Sequence, residues 1–283
     1  MMNMTDLINQ GKFAMLAFAQ QKKAIDWQQQ LFLQPKLDGV RCLFTKQGAF
    51  SRSGKKFKNV QHLRRELKPF FAANPNLVLD GELYNHDYKD NFNKIISIVR
   101  QGKPTANQTL IQFHCYDIVS PYYASASYSV RAEGIAHYFK TYNLTYCHTV
   151  PSVPVTNKGL AVINNNINLK AGYEGSILRT NLPYENKRSN NLLKFKAFQD
   201  TEATITGFVE GKGKRSGTIG KFMAIDSNGI TFGMPVMENY DIMRTMFANA
   251  NDYVGKVATF TFFQKTPAGS YRHPLFKAIR NYE

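Results

Sequence analysis

Lys36, Asp38 and Arg41 stand inside "LQPKLDGVRCLF", residues 33–44, a stretch that otherwise reads as a buried strand. Lysine and aspartate are depleted from strands and costly to bury unless they are paired or used. A second strand, "LVLDGELY", ends with Asp80, Gly81 and Glu82, and a third, "FHCYDIV", supplies Tyr116 and Asp117. Further along, "GYEGSILR" carries Glu174 and Arg179. "NKRSNNLLKFKAF" carries Arg188, Lys194 and Lys196, the two lysines on one face of a strand. Taken singly these are weak signals, since D-G-E at a strand end is more often a turn and K-x-K more often a solvated face. The four fixed positions of K-x-D-G-x-R are rarer: at roughly one in twenty per position, the pattern arises by chance about once in several hundred chains of this length.

A lysine amine is a nucleophile only when neutral, so its site must disfavour the ammonium through desolvation or neighbouring cations. Lys194 and Lys196 facing Lys36 would do this, and the same pair could clamp a polyphosphate and neutralise a leaving group. Glu82 and Glu174 offer hard oxygen ligands for Mg²⁺, which prefers few carboxylates together with substrate phosphates. Tyr116 offers an aromatic face for a nucleobase. The set suits a lysine attacking the α-phosphate of a nucleoside triphosphate, chemistry that rests on positioning and electrostatics more than on acid–base groups.

The elements that must hold these residues alternate along the first 200 positions. The spacing predicts helices over 5–22 with Thr5 as N-cap, over "NVQHLRRELKPFF" from Asn59, and near 88–101, 128–142 and 156–170. Strands are predicted over 31–45, 76–84, 110–119, 148–155, 174–180 and 191–198. Several connections are too short for crossover helices, so the predicted class is α+β with a largely antiparallel sheet. After Asp200 the pattern becomes short glycine-punctuated β segments, "EATITGFVEG", "GTIGKFMAID", "GITFGMP" and "KVATFTFFQKT", with one helix near 238–250. A five-stranded barrel of the OB type fits that stretch. The expected domains are 1–200 and 201–283.

Composition narrows the partners. The net charge is +16, with 26 Lys+Arg against 13 Asp+Glu in residues 1–200 and 10 against 7 thereafter. Such an excess points to a polyanion held mainly by the first domain. Three scattered cysteines, Cys42, Cys115 and Cys147, with no C-x-x-C pair, argue against a disulfide framework and a Cys-rich zinc site. No apolar run reaches the length of a membrane span, and the first residues lack the basic start of an export signal. A cytoplasmic protein without membrane attachment is expected.

In order and content these motifs resemble those of the covalent nucleotidyltransferase superfamily and, within it, the ATP-dependent DNA ligases. "KLDGVR" is similar to the nucleotidyl-lysine motif, "SRSG" (51–54) to the short motif after it, and "LDGEL" to the third. "FHCYD", "EGSILR" and "LLKFK" resemble the remaining nucleotide-binding motifs, and "GSYRHPLFKAIRNYE" the end of small viral and bacterial ligases. The resemblance covers about residues 30–283. It implies a nucleotidyltransferase domain of ATP-grasp-like antiparallel sheets with helices, followed by a C-terminal OB-fold β-barrel. It implies ATP as AMP donor, Mg²⁺ or Mn²⁺, and a monomer acting on nicked double-stranded DNA in a bacterial cell or phage-infected host, in replication, repair or recombination.

By the same resemblance, Lys36 takes AMP as a phosphoramidate and releases pyrophosphate. AMP then passes to the 5′-phosphate of a nick, and the 3′-hydroxyl displaces it. Gln34, Leu37, Arg41, Glu82, Tyr116, Glu174, Lys194 and Lys196 match nucleotide-binding positions, with Glu82 and Glu174 also at the metal. Asp38 is the orienting residue, and Arg41, Arg52 and Arg188 match positions at the nick phosphates. Arg272 and Lys277 match the terminal pyrophosphate motif, although its usual R-x-D-K here reads R-H-P-L-F-K. "EGKGKRSGTIG" (210–220) resembles the glycine-rich opening of the barrel and is a candidate for backbone phosphate. With 35 residues ahead of Lys36 and no four-cysteine zinc module, the resemblance implies a minimal ligase.

Three alternatives share part of the pattern. An mRNA capping guanylyltransferase has the lysine motif and the OB-fold, but "EGSILR" and the R-S…L-L-K-x-K segment favour a ligase. An RNA ligase is nearer still. A non-enzymatic basic OB-fold binder would not be expected to keep Lys36, Glu82, Glu174 and Lys194 together.

Overall fold

Two strands share the run read as one over 31–45: β2 (Leu31–Pro35) and β3 (Val40–Thr45) belong to different sheets, and Lys36 to Gly39 cross between them. The molecule is a computed structural model that describes residues 4–19, 25–195, 199–262, 265–266 and 269–280. It divides into two compact units, Met1–Lys196 and Ala197–Glu283.

Unit 1 begins with α1 (Met4–Asn9) and β1 (Leu16–Ala19), where a single helix over 5–22 was expected. Thr5 lies inside α1. The helix stops at Gly11 (φ 66°), a left-handed position that favours glycine, and "LAFA" goes instead to a sheet edge. Residues 20–22 of that expected helix lie outside the described residues. After β2 and β3 come β4 (Gly48–Phe50), α2 (Gln61–Glu66), α3 (Lys68–Ala73), β5 (Val78–Tyr84) and α4 (Phe92–Val99). Pro69 in the first turn of α3 splits the expected helix of 59–71 in two, because a proline there removes an interior N–H. Asn59 is not its cap: its buried side chain instead donates to Ile98 O and accepts from Thr105 N. The unit continues with β6 (Gln112–Val119), α5 (Tyr128–Tyr142), β7 (Cys147–Thr149), β8 (Val153–Val155), α6 (Lys158–Lys170), β9 (Ser176–Thr180) and β10 (Arg188–Phe195). α5 ends on Asn143 in the left-handed region (φ 45°), which asparagine tolerates. Asn91 and Asn157 cap α4 and α6 through their side-chain oxygens.

These strands form two five-stranded sheets, β1-β10-β9-β2-β8 and β4-β3-β5-β6-β7. The β1–β10 and β6–β7 pairs are parallel and the others antiparallel. On the second sheet, Cys42, Phe44, Leu79, Leu83, Phe113 and Cys115 face a core shared with Leu63, Leu67, Phe70 and Ile95 of the helices. Each such buried side chain contributes about 1.5–3 kcal/mol relative to exposure. On the first sheet, Leu31, Leu33, Leu178, Leu193 and Phe195 pack with Ala161 of α6. Strand alternation therefore sends Gln34, Ile177, Arg179, Leu192 and Lys194 to the opposite face from that core.

Unit 2 contains β11 (Gln199–Glu210), β12 (Ile219–Ile225), β13 (Thr231–Pro235), α7 (Tyr240–Ala248), β14 (Val257–Phe262) and β15 (Leu275–Ile279). Its sheet runs β13-β12-β11-β14-β15, antiparallel throughout, and no pairing that would close it into a barrel occurs among the described residues. Phe222, Phe232, Met234, Phe260 and Tyr271 fill its core.

Candidate active site

The backbone of Lys36 continues the β2–β9 ladder beyond Pro35: its N–H donates to Gly175 O (2.9 Å), and its carbonyl accepts from Glu174 N (3.1 Å). That register brings the Lys36 ammonium onto the Glu174 carboxylate, with which it forms an ion pair. Glu174 is almost fully buried, while Lys36 keeps an exposed edge. The chain then crosses to the second sheet through Leu37, Asp38 and Gly39. A Cβ at Gly39 would come within 2.4 Å of Leu83 O and 2.8 Å of Glu82 Cγ, so the crossing passes too close to β5 for a side chain.

Lys36 lies in a cleft of about 450 Å³ built from unit 1. One wall carries Gln34, Arg179, Arg188 and Lys194; the other carries Arg41, Glu82 and Tyr116, with Arg52 and Leu37 also lining it. Burial pushes the Glu82 carboxyl up to about 8; Lys36 and Arg41 pull against that shift, and Asp80 and Asp38 reinforce it. Arg41 does not point freely into the cleft. Its Nε donates to Asp80 Oδ1 (2.9 Å), its Nη2 pairs with Asp80 Oδ2, and its Nη1 donates to Met15 O (2.6 Å). The Tyr184 hydroxyl donates to the same Asp80 (2.8 Å). The Arg41 guanidinium also lies 5.6 Å from the centre of the half-buried Tyr116 ring.

Behind the other wall runs a second buried network. Asp117, 0% exposed, accepts from Arg131 Nε (2.7 Å) and Nη2 (3.2 Å) and pairs with Arg179. Arg179 Nε donates to Gln34 Oε1 (3.2 Å), and Gln34 Nε2 donates to the Tyr128 hydroxyl (2.7 Å). The Arg179 guanidinium stacks 4.4 Å from the Tyr128 ring centre. Gln34 thus has both ends of its amide engaged, and a flat wall is held in one arrangement.

Arg188, three residues ahead of the strand predicted over 191–198, is the first residue of β10; its Nη1 donates to Ala17 O (2.6 Å) and its head remains exposed. In "SRSG", Gly54 (φ 79°) leaves no room for a Cβ, which would meet Asn9 O at 2.2 Å, so this loop is pressed onto α1. Lys196 lies outside the described residues. Arg272 and Lys277 belong to unit 2, where Lys277 is ion-paired with Asp200. Sequence reasoning missed Tyr128, Arg131 and Tyr184 as site-building residues, and named Asp80 and Asp117 without giving them a role. Asp80 and Asp117 had a signal, acids within otherwise apolar strands; Arg131 and Tyr128 sit in an unremarkable helix and had none.

Solved structures of DNA ligases share this fold. A Lig E DNA ligase superposes over 95% of this chain and 99% of its own, with a TM-score of 0.76 at 24% identity, so the chain has the fold of that ligase. Residues 14–196 match the family described as ATP dependent DNA ligase domain, and the chain belongs to this family. It is 30% identical over 197 residues to a DNA ligase of African swine fever virus (isolate Tick/Malawi/Lil 20-1/1983), a match covering 65% of this chain and 46% of the viral protein. It is 26% identical over 200 residues to the Haemophilus influenzae DNA ligase, covering 69% of this chain and 68% of that protein. The match thus spans about half the length of the viral relatives. No helix among the described residues is long and apolar enough to cross a membrane.

Proposed function

We propose that the chain is an ATP-dependent DNA ligase that seals a 5′-phosphate/3′-hydroxyl nick through a lysyl-AMP intermediate. The observation that carries this reading is the Lys36–Glu174 ion pair in a cleft whose walls present cations for phosphates and the Tyr116 ring for a base. Family membership supplies ATP as the AMP donor.

In this reading Glu174 accepts the proton that the Lys36 ammonium must lose, because its carboxylate already accepts a hydrogen bond from Nζ. The Nζ–P bond forms at the α-phosphate as the bond to pyrophosphate breaks, and Lys194 offsets the charge that builds on the leaving group. Tyr116 stacks on adenine, and Gln34, Leu37 and Arg41 line the nucleotide. AMP next passes to the nick's 5′-phosphate, beside which Arg188 and Arg52 bind phosphate oxygens. The 3′-hydroxyl then attacks that phosphate and AMP leaves. Asp38 orients the lysine through the crossing segment.

Glu82 and Glu174 are the residues that would hold a divalent cation in this reading. Glu82 and Glu174 both flank Lys36, and Mg²⁺ is commonly held by one or two carboxylates with the remaining oxygens from phosphate and water. When bound, it would neutralise phosphate charge. Unit 1 is the adenylylation domain in this reading, and the antiparallel sheet of unit 2 is an OB-type fold in which Arg272 and Lys277 serve the pyrophosphate step. The basic excess serves the phosphates of duplex DNA.

The test is incubation with ATP, GTP or NAD labelled in the nucleotide, followed by denaturation, then nicked duplexes with deoxyribose or ribose at the junction. A stable adduct from ATP alone and sealing of the DNA nick are expected. An adduct from GTP would assign guanylyl transfer, and sealing confined to RNA would assign an RNA ligase.

A further inference from the structure

Glu174 rides on the turn 171–175, which precedes β9, and the segment after β5 reaches across to that turn. There the chain makes one 3₁₀ turn, His86–Tyr88. His86 Nε2 donates to Ala171 O (2.9 Å), and its ring centre lies 4.6 Å from that of Tyr173. A carbonyl oxygen only accepts, so the hydrogen sits on Nε2, and Nδ1 of the neutral ring accepts from the Tyr84 hydroxyl (2.9 Å). Beside it the stem of Lys89 covers Gly172 (φ 90°), where an added Cβ would meet Lys89 Cδ at 2.4 Å. Tyr84 is buried, and Asn85 holds the base of the 3₁₀ turn: its Oδ1 accepts from Asp87 N (2.9 Å) and its Nδ2 donates to Leu110 O (2.8 Å).

We propose, on the ligase reading of the cleft, that His86 is a positioning residue: it fixes the Glu174 turn of one sheet against the β5 wall of the other, which carries Glu82. Ladder bonds hold β9 and β5 within their own sheets. The turn lies ahead of β9, so its place relative to Glu82 depends on what crosses between the sheets. Lys36–Gly39 is the covalent crossing, and the His86 contact is a second, noncovalent one. His86 is absent from the cleft lining, so it acts on the reaction only through Glu174. Displacing a reacting group by about 1 Å can cost about 10²-fold in rate. A loosened turn should therefore show in the step that takes the proton from Lys36.

The experiment uses the full chain and labelled ATP. His86→Ala should slow adduct formation at saturating ATP about tenfold, the worth of one hydrogen bond. The ATP concentration giving half the maximal rate should stay within about twofold, because His86 does not touch the nucleotide. His86→Gln, whose Nε2 can again donate to Ala171 O, should recover most of the rate. His86→Phe keeps a ring against Tyr173 without a donor and should not, a contrast that holds even if His86→Ala lowers the melting temperature. Without nucleotide, amide hydrogen exchange over 171–175 should quicken in His86→Ala and return with His86→Gln, while β11 and β12 exchange as before. The proposal falls if His86→Ala forms the adduct at the wild-type rate, if only the half-saturating ATP concentration changes, if His86→Phe recovers as well as His86→Gln, or if exchange over 171–175 is unchanged. Each of these outcomes, with a labelled wild-type chain, leaves the ligase reading standing. A wild-type chain that takes no label from any nucleotide would overturn that reading and the positioning role with it.

Discussion

In unit 1, Asp80 and Asp117 are 0% exposed and lie on adjacent strands, each tied to guanidinium groups: Arg41 for Asp80, Arg131 and Arg179 for Asp117. In unit 2 the buried acid Asp226 meets no cation among the described residues. It accepts from the Tyr271 hydroxyl (2.7 Å) and the Ile230 and Asn228 amides (2.8 and 2.9 Å), beside Phe232, Phe260 and Phe262, whose ring centres lie 4.6–4.9 Å from that of Tyr271. A buried ion pair gives little net stability over an apolar replacement, because desolvation consumes most of the attraction. Its presence behind the cleft therefore calls for another cause. The two networks hold Arg41, Gln34 and Arg179 where the cleft needs them, so unit 1 gives up packing energy for a fixed polar wall. In unit 2 the corresponding buried acid is held by hydrogen bonds among aromatic rings.

The largest expected effect tests whether the wall serves Lys36. Lys36→Arg keeps the charge beside Glu174 but has no neutral amine at working pH, so the ATP adduct should vanish while the circular dichroism spectrum holds. A full adduct in this variant would remove Lys36 as the nucleophile. The next cut is Asp117→Ala, which strands two buried guanidinium groups and should destabilise unit 1 by about 3–5 kcal/mol. Phe260→Ala should cost unit 2 a similar amount, about 3–5 kcal/mol, through a cavity instead of an unpaired charge. Denaturant titration measures both. If Asp117→Ala lost less than about 1 kcal/mol, the contrast between the units would fail.

Arg188→Ala sharpens the comparison from the functional side, since this guanidinium is exposed, donates to Ala17 O and lies 5.6 Å from the centre of the Phe18 ring. Stability should barely change. Sealing of a 5′-phosphorylated nick should slow about 10- to 100-fold, the loss of a charged hydrogen bond to phosphate. Pre-adenylylated nicks locate the defect before or after AMP transfer, and single-turnover sealing at the wild-type rate would refute the assignment.

The smallest effect concerns pH. The Tyr271 hydrogen bond is the main cause that lowers Asp226 to about 2; burial opposes it, and the Ile230 and Asn228 amides add to the lowering. An unfolded aspartate titrates near 3.9. Stability from this group is therefore present above about 4 and is lost as pH falls toward 2. Acid melting curves should show unit 2 weakening over that window, and Asp226→Asn should flatten the response.

Much of the architecture was legible locally. The helix expected over 128–142 is α5 itself, and asparagine caps mark α4 and α6 because a short side-chain oxygen next to the first turn is a local device. The acids and cations quoted from the strands line the cleft or build its wall wherever they are described in unit 1. The 31–45 run misled because alternation reports which side of a strand is buried, and that pattern continues unchanged when the chain leaves one sheet for another. The 5–22 helix misled because a strand's edge partner, here β10, lies about 170 residues away.

The residue types that can do the chemistry, their order and the family they mark were determined by the chain's own sequence. Which of them meet was decided by tertiary structure. Lys36 reaches Glu174 because β2 and β9 pair in one register, and a shift of one strand by one residue would turn its side chain to the face away from the other. Arg131 becomes part of the site only because α5 packs on β6 beside Asp117. Contacts between residues far apart in sequence depend on register and packing, and these exist only once the sheets have closed around the cleft.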